Sequence, residues 1–210
     1  MNVKLISATP DADKMLGYVA RVSSPANQDN PDVSKLLRYC GTNGHWSVFE
    51  HAFATLEINT TRDIARQMLR HRSFSFSELS QRYSDVSVLG DAKQRECRLQ
   101  DTKNRQNSLP SNDADLNEWW LQAQSEVVEK VEGLYQLALS KGIAKEQARA
   151  LLPEGLTPSR LYMSGSLRSW THYIQVRIDE STQKEHRLIA QEVLEVLRDV
   201  APITMTAFFD

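Results

Sequence analysis

The feature that most constrains this chain is a change of period near residue 60. From His51 to Thr60 (HAFATLEINT), Ala54, Leu56 and Ile58 alternate with Phe53, Thr55 and Glu57, the period-2 pattern of a half-buried strand. Ile64, Ala65, Met68 and Leu69 then follow at helical spacing, with Thr61 where an N-cap belongs. Sheet and helix are therefore built into one stretch of chain. Elsewhere helical periods dominate. Val3 to Ala8 reads as a short strand, and Asp11 to Val22 as a helix with Met15, Leu16, Val19 and Ala20 on its apolar face. A further helix through Val33, Leu36, Leu37 and Cys40 is predicted to end near Gly41 or Gly44. Asp115 and Glu118 have capping-box spacing ahead of the longest helical pattern, which runs from Leu116 through Trp119, Trp120, Val127 and Leu134 to Gly142. Thr182 and Glu185 repeat that device before Ile189, Val193 and Leu197. The reading is a single α+β domain over residues 1–210, helix-rich around an antiparallel or mixed sheet. Ser84 to Asn112 is polar and aperiodic, a length of loop that is usually functional or mobile.

Charge narrows the partners. The chain has 25 Lys+Arg against 27 Asp+Glu, so no global field selects nucleic acid or membrane, and anion binding must be local. Cys40 and Cys97 form no CxxC and no paired spacing, which argues against a disulfide scaffold or structural zinc. The N-terminal apolar run is too short for a secretory signal, and no stretch reaches the roughly 20 apolar residues of a membrane span. A cytoplasmic protein is expected.

Against that neutral background, Arg62 to Tyr83 (RDIARQMLRHRSFSFSELSQRY) carries five arginines against Asp63 and Glu78, a local charge of +3. Arg62, Arg66 and Arg70 fall at i, i+4 and i+8, where like charges repel unless a bound polyanion or acids elsewhere neutralise them. Arg70-His71-Arg72 then leads into Ser73, Ser75, Ser77, Ser80 and Arg82, a run of donors suited to phosphate oxygens. Glu78 is the acceptor among them, placed to orient an arginine or to receive a sugar hydroxyl or ring N–H. The eight glycines contain no G-x-G-x-x-G, so a dinucleotide would have to be held by side chains rather than by a Rossmann turn.

The stretch RHRSFSFSELSQRY resembles RHRxxSxNExSxRY, the signature of the flavin-dependent thymidylate synthases, with Ser77 where Asn is common. Ala20-Arg21-Val22-Ser23 is similar to that family's ARVS, Gly44 to His51 (GHWSVFEH) to its GHxxxFEH, and Glu146 to Pro153 (EQARALLP) to its ExAR..LP. Leu167-Arg168-Ser169-Trp170, Arg177, Gln183 and Glu185 resemble its NxRS…LR…AQxE region, with Ser166 in place of Asn and Ser181 where some members carry His. The resemblance implies conversion of dUMP to dTMP, with methylenetetrahydrofolate as carbon donor and FAD, reduced by NADPH, as hydride source. It places Ser23, His45, Ser47, Arg70, His71, Arg72, Glu78, Arg168, His172 and Arg177 around FAD. It places Gln67, Glu78, Ser80, Arg82, Arg149 and Arg177 on dUMP, and gives catalytic roles to Arg177, Arg149 and His45. It also implies a homotetramer whose sites combine subunits. Neither cysteine lies in a motif, which disfavours a thiolate mechanism.

Competing readings have less behind them. The five histidines lack the spacing of HExxH and are interleaved with arginines, so no metal site is expected; His51 and His186 read as structural or surface residues. Trp119, Trp120, Tyr135, Phe208 and Phe209 read as core, and Trp170 as either a flavin neighbour or packing. A nucleic-acid-binding module using the Arg62–Arg82 face would bind with strong salt dependence and carry no chromophore.

Overall fold

The computed structural model describes residues 2–210. In chain order the described residues form β1 (Asn2–Ala8), α1 (Ala12–Ala20), α2 (Ser34–Thr42), β2 (Phe53–Thr61), α3 (Arg62–Met68), β3 (Ser75–Glu78), β4 (Arg98–Gln100) and β5 (Ser108–Pro110). There follow α4 (Ala114–Ser140), α5 (Lys145–Ala148), β6 (Pro158–Ser166), α6 (Leu167–Arg177), α7 (Lys184–Val200) and α8 (Pro202–Phe209). The fold is α+β, as the periods predict. Four strands join in the order β1-β2-β6-β3, and β4 and β5 form a separate antiparallel pair with Leu99 opposite Leu109.

The chain divides into two compact units. The first holds the described residues through Ile58 with His71–Ser77 and Tyr162–Asp210; the second holds Asn59–Arg70 and Glu78–Leu161. In the first, Ala54, Leu56 and Ile58 of β2 are buried while Phe53 is exposed, which is the alternation seen in the sequence. Each large apolar side chain buried in this way contributes roughly 1.5–3 kcal/mol. Leu16, Leu37, Phe49, Trp170, Tyr173 and Val193 are equally buried, and the Trp170 indole donates to the Ala54 carbonyl at 3.0 Å. Trp170 is thus a packing residue. Helix α8 takes its cap from far away in sequence: Asp13 accepts the Ile203 and Thr204 backbone N–H groups at 2.8 and 3.0 Å.

In the second unit, Tyr135, Ala138 and Ala148 form a buried cluster closed by Val86, Leu139 and Leu152. Helix α4 starts two residues earlier than its sequence suggests. Its cap is Asp113, whose carboxylate accepts the Leu116 N–H at 3.0 Å, while Asp115 lies in the first turn, where it favours the positive end of the helix.

Other expectations need correction too. Helix α3 stops at Met68, so Arg70 lies beyond it and the three arginines do not share one helix. Helix α7 is preceded by Gln183, not capped by Thr182, whose hydroxyl donates to the Val176 carbonyl. Trp119 is 61% exposed rather than core. The polar Ser84–Asn112 stretch contains the β4–β5 pair and a short 3-10 turn at Val86–Leu89.

Candidate active site

In the first unit the site residues gather where β6 passes directly into α6. Ser166 caps α6, accepting the Ser169 N–H at 3.3 Å, and donates its hydroxyl to Glu50 Oε2 at 2.5 Å. Glu50 Oε1 accepts Arg168 Nη1 at 2.8 Å. These groups border a cavity of about 260 Å³ that also takes in Ser73, Ser75 and Ser164. Gly165 is required at its wall. A Cβ there would lie 2.5 Å from the Phe74 ring, which is seated edge-on against Trp170 at 4.7 Å. Serine at 166 therefore does two jobs: it starts the helix and it holds one oxygen of Glu50.

At the C-terminal end of α6, Tyr173 and Arg177 share a helix face at i and i+4. Arg177 Nε donates to His71 Nε2 at 2.9 Å, joining two residues separated by 106 positions. A guanidinium only donates, so His71 accepts at Nε2 and carries its proton at Nδ1. The His71 ring stands edge-on to Tyr173 at 5.0 Å. The Tyr173 hydroxyl meets His186 Nε2 at 3.1 Å. Burial holds the His186 imidazole neutral, its pKa pushed down to about 3, with the Arg177 charge adding to the effect. Burial also raises the Tyr173 phenol well above its ordinary range.

The remaining residues of this unit are placed as follows. His45, Ser23, Ser47, Arg72 and His172 are exposed and stand outside these hydrogen bonds. His45 rests edge-on against Tyr39 at 5.5 Å. Arg21 of the ARVS stretch is buried and donates to the Asn30 and Asp32 carbonyls, so it fixes the loop after α1.

The second unit presents a different chemistry. Glu78 Oε1 accepts both Arg62 Nη1 at 3.2 Å and the Ser159 hydroxyl at 2.6 Å, so it orients an arginine, one of the two roles its sequence context allows. Arg82 Nε meets Glu146 Oε2 at 3.2 Å, and Arg149 Nε donates to the Glu146 carbonyl at 3.3 Å, so Glu146 brings two predicted dUMP residues together. The Ser80 hydroxyl accepts the Arg82 backbone N–H at 3.3 Å. Gln67 is half-buried on α3, and Arg70 is exposed just past its end. Arg66 pairs with Glu154 at 2.6 Å, and Arg95 with Asp63 at 2.8 Å. Arg62 and Arg66 are thus neutralised by acids of the chain itself.

Several contributors carry no role in the motif reading. Glu50 lies inside the quoted GHWSVFEH stretch, and Arg62 inside the basic window, so both had a signal. Tyr173 and His186 had none, because their significance rests on a contact between helices.

Fold and donors together define an α+β protein whose guanidinium, imidazole and hydroxyl groups suit anionic, phosphate-bearing ligands. Residues 4–203 match the family described as "Thymidylate synthase complementing protein". The chain is 49% identical to the "Flavin-dependent thymidylate synthase" of Synechocystis sp., over 99% of both chains. It is 47% identical to a Paramecium bursaria Chlorella virus 1 protein named "Probable flavin-dependent thymidylate synthase", over 93% of each. Its fold is similar to the crystal structure of the UMP/dUMP methylase PolB from Streptomyces cacaoi bound with 5-Br dUMP, with TM-score 0.84, 28% identity, and coverage of 99% of this chain and 93% of that one. The chain belongs to the thymidylate synthase complementing protein family, the flavin-dependent thymidylate synthases.

Proposed function

We propose that this protein methylates dUMP to dTMP, taking the carbon from methylenetetrahydrofolate and the hydride from FAD reduced by NADPH. The observation that carries the reading is the Arg177–His71 hydrogen bond, which joins the Arg-His-Arg motif to the C-terminal end of α6. The donor set fits FAD. With no glycine-rich strand–helix turn, a pyrophosphate needs side-chain donors, and Arg70, His71, Arg72 and the serines supply them. The chemistry FAD supplies when bound and reduced is hydride donation to the transferred methylene.

The chain's own residues bind and orient. Arg177 gives Nε to His71 and offers its other N–H groups to an anion. Arg168, Ser23, His45, Ser47 and His172 complete the flavin set. Ser80, Arg82 and Arg149 hold the dUMP phosphate, with Glu146 keeping the two arginines together until the phosphate arrives. Gln67 and Glu78 serve the sugar and base. No thiolate attack on the ring is needed, which agrees with the buried Cys40 thiol, whose pKa burial pushes up. Cytoplasmic location and homotetrameric assembly, with Arg149 and Arg177 reaching one site from different subunits, complete the proposal. Exposed apolar side chains along α4, including Trp119, Val127 and Leu137, support assembly.

The test is dTMP formation from dUMP, methylenetetrahydrofolate, NADPH and FAD, with each component omitted in turn. Product that needs all four supports the proposal. No product from a yellow, folded protein, or product without flavin, overturns it.

A further inference from the structure

His186 takes no part in the binding set just described, yet it is fully buried at the start of α7 and makes a polar contact that packing alone does not demand. Its Nε2 meets the Tyr173 hydroxyl at 3.1 Å, and the two rings lie 5.7 Å apart. Tyr173 is held on its other sides by aromatic rings, with Trp170 at 5.8 Å and Phe74 at 6.2 Å. The His71 ring meets it in a T-shaped contact at 5.0 Å. Tyr173 is therefore a fixed plate with His186 bonded to its hydroxyl and His71 packed against its ring.

A buried hydrogen-bonded pair of this kind adds little net stability over apolar rings of the same shape, because both partners give up water to form it. What it adds is direction. A phenylalanine in place of Tyr173 is free to shift along the helix face, whereas a phenol tied to His186 is not. Arg177 follows Tyr173 by one turn, so the angle of that plate sets how His71 presents Nε2 to the guanidinium. We infer that His186, acting through the Tyr173 hydroxyl, is a positioning residue that holds His71 in its Nδ1–H tautomer with Nε2 committed to Arg177. The neutrality of His186 fits this role, since a second cation facing Arg177 would repel the guanidinium from the imidazole.

This inference rests on the proposed function for its consequence in turnover but not for its structural content. The test uses the full-length protein as His186→Phe, Tyr173→Phe, the double variant and His186→Gln, whose amide is able to bond the Tyr173 hydroxyl. Long-range ¹H–¹⁵N spectra report the His71 tautomer without any assay of product. Wild type shows His71 unprotonated at Nε2; His186→Phe and Tyr173→Phe each show a mixture of tautomers, and His186→Gln restores the single form. In dTMP formation, either phenylalanine variant lowers kcat about tenfold with KM for dUMP within twofold. The double variant is no worse than either single one, because both break the same bond. A pure Nδ1–H tautomer in folded His186→Phe overturns the inference, as do additive losses in the double variant. If His186→Phe does not fold, Tyr173→Phe and His186→Gln carry the same readouts. An altered tautomer in a protein that makes no dTMP at all sinks the proposed function and leaves the positioning role standing.

Discussion

Arg177 of the first unit and the paired arginines of the second are held in opposite ways. In the second, Arg62, Arg66, Arg82 and Arg95 each face a carboxylate, namely Glu78, Glu154, Glu146 and Asp63. In the first, Arg168 has Glu50, but Arg177 gives its hydrogen bond to a neutral imidazole inside an aromatic shell. A phosphate entering the second unit must compete with acids already in place, so geometry rather than charge selects it. Among the described residues no carboxylate is paired with Arg177, so an anion approaching it has none to displace. The contrast predicts that the same substitution, arginine to alanine, has different consequences in the two places.

The largest effect belongs to Arg177→Ala, which removes a cation that no carboxylate among the described residues pairs with. Charge-assisted hydrogen bonds are worth about 1.5–3 kcal/mol, so turnover should fall roughly a hundredfold while thermal stability stays near wild type. A loss under threefold in steady-state dTMP formation would erase the distinction between the units. Next comes Arg82→Ala, expected to raise the dUMP KM about thirtyfold, with Ser80→Ala raising it only about fivefold because a hydroxyl carries no charge. Ser80→Ala that binds dUMP normally but has no detectable turnover contradicts the binding role.

A smaller effect separates the units by acid titration. The folded His186 binds its proton near pH 3 and the unfolded one near 6.5, so below pH 6.5 the unfolded chain takes up the extra proton. Stability therefore falls as pH drops from 6.5 toward 3, by at most about 1.4 kcal/mol per pH unit for this one group. Urea unfolding at pH 7, 6, 5 and 4 should show a shallower decline in His186→Phe than in wild type; parallel curves mean that His186 is not held neutral. The smallest effect is Glu154→Gln, whose pair with Arg66 is about half exposed on both sides. It should change stability by less than about 1 kcal/mol, and a larger loss would mean that the acids of the second unit are structural rather than competitive.

Local period explains why β2, the start of α3 and the face Ala54-Leu56-Ile58 were legible in the sequence: each is decided by neighbours within a few residues. The Arg-His-Arg run was legible because its residues are contiguous. The end of α3 was not, since no glycine or proline stops the helix after Met68 and the turn toward β3 is imposed from outside. Asp113 and Asp115 are both suitable caps, and only the extended backbone at Asp113 decides between them. The pairs that organise the site, Glu50 with Arg168 and His71 with Arg177, span 118 and 106 residues. No local pattern encodes such contacts, and Tyr173 with His186 was hidden for the same reason.

The central claim is that hydride reaches the methylene from reduced flavin with no thiolate on the pyrimidine. The most direct measurement is a single turnover, without oxygen, of the Cys40→Ser, Cys97→Ser double variant loaded with FAD and reduced, then mixed with dUMP and methylenetetrahydrofolate. The account predicts flavin reoxidation in step with one dTMP formed per flavin, at a rate within about threefold of wild type. Flavin that stays reduced and no dTMP, in a folded variant that still binds dUMP while the wild type turns over, would contradict it.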